Sequence, residues 1–391
     1  MFAGGEILIW LLPLTAVIAW WLGRLSISRA RPEHLRHIHP DYFKGLNYVL
    51  NEQPDKAIEV FIRMLEVDTE TIETHLALGN LFRRRGEVDR AIRIHQNLIA
   101  RPNLSAEYRD IALLELAMDY MRSGLLDRAE TLFKELVAAG SHTQQAHAEL
   151  LDIYQQEKDW DNAINTAHKL EEASGKKFSN IIAQFYCEKA EEILNSGGRD
   201  RVMENLHKAF SIDPACARAS LLEGRLLQED GKFKQAIKVY RRIEQQDPEI
   251  LPEAINPLLA CYRELDAVGD YMEYLRDIAS KHGGITAILT LAELIYEKEG
   301  TAAAIHFVTT ELKKHPTVKG VDSLIQYVLA QAQGSTRESL MSIKDLTGRL
   351  LKSRSAYKCN HCGFDAKSLH WYCPSCKNWS TIKPVYGLQG E

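Results

Sequence analysis

Four cysteines near the end of the chain have the spacing of a metal site. In the stretch CNHCGFDAKSLHWYCPSC, Cys359 and Cys362 form one Cys-x-x-Cys pair, and Cys373 and Cys376 form another. Each such turn points two thiolates at one point, and two turns can close a tetrahedron of sulfurs about 2.3 Å from a metal ion. Gly363 follows the first pair, as a tight turn with positive φ requires. The spacing therefore predicts one metal ion held by all four cysteines.

Dithiol redox activity is the alternative chemistry for these pairs. No thioredoxin-like βαβ pattern surrounds them, which favours metal binding. Zinc and iron both suit four thiolates, so the sequence does not choose between the two metals. His361 lies inside the first pair, but four sulfurs already fill the site, so we expect an exposed neutral histidine. Since no coordination position stays open, we predict a structural site or, with iron, a redox-active one, and assign no catalytic residue.

The segment that carries the cysteines is too small to fold by hydrophobic burial alone. A piece of about 35 residues needs metal binding, at about 10–16 kcal/mol for structural zinc, as its folding energy. We expect Trp371, Tyr372 and Trp379 to pack beside the site as a small core, the alternative being an exposed aromatic docking face. From Lys352 onward, six Lys/Arg oppose two acidic residues. These charges either solvate a small domain or contact RNA or anionic lipid.

The whole chain has the composition of a globular protein. It has 391 residues, of which 45% are hydrophobic and 26% charged, and its net charge of -5 excludes a strongly basic nucleic-acid binder. Three of the seven cysteines, Cys187, Cys216 and Cys261, lie outside the cluster. The odd total argues against a disulfide framework and suits a reducing compartment. We expect these three to be inert core residues.

The N-terminus predicts a membrane anchor. From Phe2 to Gly23 the only charged side chain is Glu6, and about 22 residues at 1.5 Å rise span roughly 33 Å, enough for a bilayer core. A secretory signal peptide is the alternative, but no Lys or Arg precedes the span. Four arginines follow it instead: Arg24, Arg29, Arg31 and Arg36. The positive-inside rule then places the bulk of the chain in the cytoplasm, behind a single uncleaved span.

The middle of the chain repeats a helical-hairpin template. Stretches such as DKAIEVF (55–61) and KQAIKVY (234–240) share an alanine position, which recurs at Ala57, Ala91, Ala129, Ala163 and Ala236. The separations are 34, 38, 34 and 73 residues, and Val202 takes the intermediate place in the last interval. Twelve residues earlier comes a small or apolar residue: Gly45, Gly79, Ala117, Leu151, Ala190 and Gly224. This is the tetratricopeptide pattern, in which stacked helix pairs bury their apolar faces on one another.

The predicted fold is therefore all-α, a tetratricopeptide superhelix with an N-terminal transmembrane helix and a small C-terminal zinc-ribbon-like metal domain. The predicted parts are an anchor (1–23), a basic linker (24–37), a solenoid of about eight units (38–332), a capping helix (333–354) and the metal domain (355–391). The sequence contains no glycine-rich phosphate loop, no G-x-S-x-G and no metalloprotease motif. We expect no enzymatic activity.

This order of parts resembles the lipopolysaccharide assembly protein B family of Gram-negative bacteria. The resemblance covers the whole chain and is carried by the anchor, by repeats including LGNLFRRRGEVDRAIRIHQ (78–96) and by the tail WYCPSCKNWSTIKPVYGL (371–388). The four cysteines match the family's rubredoxin-like metal ligands one for one. The resemblance implies a non-enzymatic adaptor on the cytoplasmic face of the bacterial inner membrane.

Partners also follow from the resemblance. Such an adaptor presents the lipid A deacetylase LpxC, which commits precursor to lipid A, to the membrane-bound FtsH protease, and an inner-membrane regulator restrains it. Two other functions stay open. A nucleic-acid-binding scaffold would use the basic tail, with affinity falling steeply with salt. A rubredoxin-like electron carrier would hold iron and change its visible absorption reversibly on reduction.

Overall fold

The computed structural model describes residues 40–51, 53–67, 72–388 and 390 of the chain. The described residues form two compact units, of which unit 1 ends at Ala146 and unit 2 begins at His147. The predicted anchor (1–23) and basic linker (24–37) lie outside the described residues. Within the described ranges, no helix combines the length and the apolar character needed to cross a membrane.

Unit 1 is built from antiparallel helix pairs. Its helices are α1 (Pro40–Leu50), α2 (Pro54–Val67), α3 (Ile72–Arg85), α4 (Val88–Ile99), α5 (Ala106–Ser123) and α6 (Leu126–Ala138). Helix α1 packs on α2, α3 on α4, and α5 on α6, while α2 also contacts α3 and α4 also contacts α5. The boundary between the units falls inside helix α7 (Thr143–Glu157).

Unit 2 continues the helical hairpins and ends in a small sheet. The helices that follow α7 are α8 (Trp160–Ser174), α9 (Ser179–Asn195), α10 (Arg199–Ile212), α11 (Ala217–Glu229), α12 (Phe233–Gln246), α13 (Pro252–Glu264), α14 (Val268–His282), α15 (Ile285–Glu299), α16 (Thr301–Lys314), α17 (Val318–Leu329) and α18 (Gly334–Lys352). A short 3-10 helix, Pro248–Ile250, joins α12 to α13. The strands are β1 (Tyr357–Cys359), β2 (Asp365–Ala366) and β3 (Ile382–Pro384), in the antiparallel order β2-β1-β3.

The predicted repeat template is confirmed by the packing inside each hairpin. A Cβ atom on Gly79 would lie 2.3 Å from the His95 ring, and one on Gly224 would lie 2.5 Å from the Tyr240 ring. Glycine is required at both positions because the second helix of each pair sends a ring against the backbone of the first. The predicted alanine positions are fully buried at Ala57, Ala91, Ala129, Ala163 and Ala236.

Helix α18 follows the repeats and packs on α17 mainly through polar contacts. Thr347 Oγ1 donates a hydrogen bond to Asp322 Oδ1 at 2.6 Å, and Lys344 Nζ lies 3.1 Å from Asp322 Oδ2. Four of its apolar side chains are exposed: Met341, Ile343, Leu346 and Leu350. This helix therefore covers α17 with fewer buried apolar side chains than its sequence contains.

Candidate metal centre

The first cysteine pair sits where strand β1 ends. Cys359 is the last residue of β1 and pairs with Ile382 of β3, so the sheet fixes its position. The chain then turns, with the Gly363 N–H donating to the Cys359 carbonyl at 2.9 Å and Gly363 at a φ of 78°. The Cys362 N–H lies 3.5 Å from Cys359 Sγ. The expected positive φ after the first pair is thus confirmed.

The second cysteine pair forms an equivalent turn without glycine. The Lys377 N–H donates to the Cys373 carbonyl at 2.9 Å, and Lys377 has a φ of 56°. A non-glycine residue in this region is uncommon and implies that surrounding contacts hold it there. The two turns face each other and bring the pairs together.

The four sulfur atoms form one compact cluster. All four Sγ atoms lie within 4.8 Å of one another, and the distances Cys359–Cys376 and Cys362–Cys373 are both 3.7 Å. A tetrahedron with metal–sulfur bonds of 2.3 Å has edges of about 3.8 Å, so the cluster fits one metal ion without rearrangement. Zinc and iron fit equally well. Cys359 and Cys373 are buried, whereas Cys362 is exposed.

The thiols differ in how readily they lose a proton. Hydrogen bonding from the Asn378 side chain lowers the pKa of Cys376 to about 5, whereas burial raises the pKa of Cys373 to about 11. Near neutral pH, Cys376 therefore offers a thiolate directly, and Cys373 must release a proton before it can bind a metal. His361, as expected, is exposed on the rim, with Nδ1 3.3 Å from Asn378 Nδ2.

The small apolar core beside the cluster does not contain the residues predicted for it. We name the segment 355–388 the ribbon; the buried residues of its own apolar cluster are Cys359, Ala366, Cys373 and Ile382. The expectation that Trp371, Tyr372 and Trp379 form this core is wrong: both indoles pack against the helical repeats, and the Tyr372 ring lies against Trp379 with centroids 4.8 Å apart. A segment this short cannot enclose two indole rings, whereas neighbouring helices offer ready-made apolar walls.

Trp379 is the deepest contact between the ribbon and the repeats. Its ring lies edge-on to Phe185 of α9, with ring centroids 5.7 Å apart, and to Trp160 of α8 at 6.3 Å. The Trp379 Nε1–H donates to Gln155 Oε1 of α7 at 2.7 Å. Trp379 is 8% exposed and Phe185 is fully buried. The ribbon is thus anchored by an aromatic ring with its one polar atom satisfied.

A second group of contacts joins the ribbon to the α12–α13 turn. Lys383 of β3 pairs with Asp247 at the end of α12, and the Tyr357 hydroxyl of β1 donates to Glu253 of α13. The Tyr386 hydroxyl donates to the Glu249 carbonyl at 3.2 Å. Lys383 is 13% exposed, so its pairing with a carboxylate is screened less than a surface pair.

Trp371 contacts a third part of the repeats. It packs with Leu369 against the apolar cluster of helices α11–α16, and the Arg218 guanidinium lies over its ring, 5.8 Å from the centroid. Arg218 is itself buried and paired with Glu188 at 2.8 Å and Glu191 at 2.9 Å. The Leu388 carbonyl, near the end of the ribbon, accepts a hydrogen bond from the Val318 N–H of α17 at 2.9 Å.

The repeat-side partners of the ribbon were missed by the sequence reasoning. Gln155, Asp247 and Glu253 belong to repeat helices or to the turn between them and have no motif of their own. The only available signal is that the ribbon carries two tryptophans that its own core cannot hold. The three cysteines outside the cluster are buried, as expected, and the Cys187 and Cys216 sulfurs lie 3.8 Å apart.

Comparison with known proteins matches both kinds of domain. The family model described as Rubredoxin metal binding domain matches residues 357–384. Models of the tetratricopeptide repeat match residues 74–107 and 114–175. The solved crystal structure of MamA protein is similar, with a TM-score of 0.32 at 22% identity, covering 47% of this chain and 95% of that one. That likeness is too weak to carry an argument.

Two curated relatives match almost end to end. Lipopolysaccharide assembly protein B of Escherichia coli (strain K12) is 40% identical over 386 residues, which is 98% of this chain and 99% of that protein. The protein of the same name from Haemophilus influenzae (strain ATCC 51907 / DSM 11121 / KW20 / Rd) is 37% identical over 390 residues, covering 97% and 98%. Both alignments include the repeats and the ribbon.

Proposed function

This chain belongs to the lipopolysaccharide assembly protein B family, and we propose that it works in lipopolysaccharide assembly as a non-enzymatic adaptor at the bacterial inner membrane. In this role it presents the lipid A deacetylase LpxC to the FtsH protease, under restraint by an inner-membrane regulator. The observation that carries the proposal is the 40% identity over 98% of the chain, a stretch that includes both the repeats and the ribbon. Tetratricopeptide repeats present surfaces for protein partners rather than for reactions.

The metal centre supports a binding role. We propose Cys359, Cys362, Cys373 and Cys376 as its four ligands, because their sulfurs lie within 4.8 Å of one another. When bound, the metal supplies folding energy to the ribbon. Four sulfurs complete a tetrahedral site, so no position is left for a substrate or an activated water. The folded ribbon then holds its side chains Trp379 and Lys383 against the repeats.

The proposed membrane attachment rests on residues 1–23, the predicted anchor. An anchored adaptor meets membrane-bound partners at a raised local concentration, as two linked binding sites do. In this proposal the bulk of the chain faces the cytoplasm, where FtsH and LpxC would contact it.

The basic charge of the ribbon gives less support to nucleic-acid binding. Lys383 pairs with Asp247, and Lys377 Nζ lies 3.9 Å from Asp152 Oδ1. Two of the six basic side chains of the tail are thus turned toward repeat carboxylates rather than toward a free phosphate-binding surface. An electron carrier is tested by the metal itself, since only iron would give a reversible visible absorption change on reduction.

Co-purification from native membranes tests the adaptor role. The full-length chain would be compared with a variant lacking residues 1–23, and partners identified by mass spectrometry. We expect FtsH and LpxC with the full-length chain and their loss from the truncated one. Recovery of neither from the full-length chain, with ribosomes or a reductase instead, contradicts the proposal.

A point variant tests the contribution of the ribbon. We expect Cys359→Ser to unfold the ribbon and to lengthen the lifetime of LpxC in cells, while the repeats stay folded. His361→Ala is the matched control, since His361 is exposed and lies between the first two cysteines. Normal LpxC turnover with an unfolded ribbon would remove the ribbon from the mechanism.

A further inference from the structure

We infer that metal binding by the ribbon and docking of the ribbon onto the repeats of unit 2 are thermodynamically coupled. Loss of the metal releases the ribbon and uncovers the repeat surface that receives Trp379 and Lys383. Conversely, a ribbon that cannot dock holds its metal more weakly. This coupling goes beyond the proposed adaptor role and does not depend on it.

The docking side chains are neighbours of the cysteines in sequence. Trp371 stands two residues before Cys373, and Trp379 stands three residues after Cys376. Tyr357 begins the strand that ends at the first cysteine. These three docking side chains are therefore carried by the same short turns or strand that carry the sulfurs, and Lys383 stands on β3, which pairs with the strand that ends at Cys359. A change in the turns moves the docking side chains with them.

Hydrogen bonds around the second turn fix the two indoles relative to each other. The Ser380 N–H donates to the Trp371 carbonyl at 2.7 Å, and the Cys373 N–H donates to the Asn378 carbonyl at 2.9 Å. These bonds close the turn on which Trp379 stands. The distance between the two indole anchors therefore depends on the turn keeping the shape that brings the sulfurs together.

The ribbon has little else to keep that shape. Its own apolar cluster has four buried residues, Cys359, Ala366, Cys373 and Ile382, and two of these four carry the sulfurs themselves. A small domain of this kind draws its folding energy from the metal. Without the metal, nothing holds the four sulfurs together. The Trp371 and Trp379 side chains then no longer keep a fixed distance from each other.

The repeat surface under the ribbon is complementary to it in shape and charge. The ring of Trp379 meets the rings of Trp160 and Phe185, which stack on each other with centroids 5.7 Å apart. Elsewhere on the repeats, carboxylates receive polar groups of the ribbon. Asp152 lies 3.9 Å from Lys377, Asp247 pairs with Lys383, and Glu253 accepts a hydrogen bond from the Tyr357 hydroxyl. The ribbon thus supplies, from within the chain, both the aromatic ring for the slot and the polar groups for the carboxylates.

Linkage makes the coupling measurable from either side. The factor by which docking raises metal affinity equals the factor by which metal raises the docking equilibrium. A substitution on the repeats, far from any sulfur, must therefore weaken metal binding if the coupling exists. A purely local metal site would not respond to it.

The experiment uses the full-length chain in detergent, with zinc as the metal and a chromogenic chelator as competitor. Gln155→Ala and Asp247→Asn, combined, remove two repeat-side contacts without touching the ribbon. We expect zinc affinity to fall by roughly 5–150-fold, the usual range of coupling between sites. Lys367→Ala, at an exposed ribbon position, is the control and should bind zinc like the unsubstituted chain.

A charge exchange separates docking from general damage to the repeats. Asp247→Lys alone should weaken zinc binding, and Asp247→Lys together with Lys383→Asp should restore most of the affinity. Cobalt substituted for zinc should give the same sulfur-to-metal absorption bands in every variant, because the four sulfurs are unchanged. Zinc affinity equal to that of the unsubstituted chain in the Gln155→Ala, Asp247→Asn variant overturns the inference.

Amide hydrogen exchange measures whether the ribbon leaves the repeat surface when the metal is removed. Chelation of the metal should increase exchange in peptides of α8, α9 and the α12–α13 turn. Peptides of α3 and α4, which belong to unit 1, should exchange at an unchanged rate. Unchanged exchange in α8, α9 and the turn after complete metal removal would also overturn the inference.

Discussion

Trp379 Nε1 donates a hydrogen bond to Gln155 Oε1 at 2.7 Å, and the two residues are 224 positions apart in the sequence. The bond satisfies the one polar atom of an indole that is 8% exposed. It joins a side chain of the metal-binding ribbon to a helix of the repeats. The ribbon is thus a structural part of unit 2 rather than a tail that follows it.

Removing the acceptor of this bond should destabilise unit 2. We expect Gln155→Ala to lower the free energy of unfolding by about 1–3 kcal/mol, because it leaves a buried N–H without a partner. Trp379→Phe removes the donor but also part of the ring that packs on Phe185, so its cost includes lost packing. The coupling energy between the two substitutions, taken from the double variant, isolates the bond. Chemical denaturation of the full-length chain in detergent measures all three variants. Costs that simply add in the double variant would show that the bond itself contributes nothing.

The four proposed cysteine ligands should each be needed for metal retention. Substitution of Cys373, the most buried of the four, by serine should reduce bound metal well below one ion per chain, because the tetrahedron loses a vertex inside the ribbon. Cys261→Ser is the control, since Cys261 lies in the repeat core, away from the cluster. Elemental analysis of purified protein gives the metal content and also its identity. Full metal content in Cys373→Ser would remove that residue from the ligand set.

Glycine at the helix crossing should resist substitution. Gly224→Ala would place a Cβ 2.5 Å from the Tyr240 ring, so we expect a loss of about 1–3 kcal/mol in stability from overpacking. Gly348→Ala, inside α18 with no atom within 4 Å of its new Cβ, should instead stabilise by about 0.5–1 kcal/mol. Thermal unfolding of both variants compares them directly. A gain of stability in Gly224→Ala would contradict the packing.

A buried charged network in unit 1 should be costly to break. Asp119 Oδ2 lies 2.5 Å from His95 Nδ1, Asp119 Oδ1 lies 2.7 Å from Arg83 Nη1, and Asp119 and His95 are fully buried. We expect Asp119→Ala to destabilise by about 3–5 kcal/mol, because it leaves a buried guanidinium contact and a ring nitrogen without a partner.

Lys134→Ala provides the surface comparison for that network. Lys134 is 57% exposed and pairs with Glu130 one helical turn away, so its removal should cost at most about 0.5 kcal/mol. Denaturant unfolding of the two variants should differ several-fold in the stability lost. Similar small losses would mean that the buried network contributes no more than a surface pair.

Much of the candidate metal site was predictable because its signal is local. The two Cys-x-x-Cys turns are each closed within four residues, and Gly363 supplies the positive φ that the first turn needs. Lys377 adopts a positive φ in the second turn although it is not glycine, and no local sequence pattern predicts this. The tryptophans were assigned to the wrong core because their partners lie elsewhere in the chain.

The sequence by itself determined the cysteine cluster and the helical repeats, since both depend on spacings of a few residues and on a period that recurs along the chain. Only the tertiary structure decided where the ribbon sits and which side chains hold it. Tyr357 and Glu253 are 104 positions apart, and Lys383 and Asp247 are 136 positions apart. Pairings at such separations follow from how the helices stack, and stacking sums many weak contacts that no single stretch of sequence records.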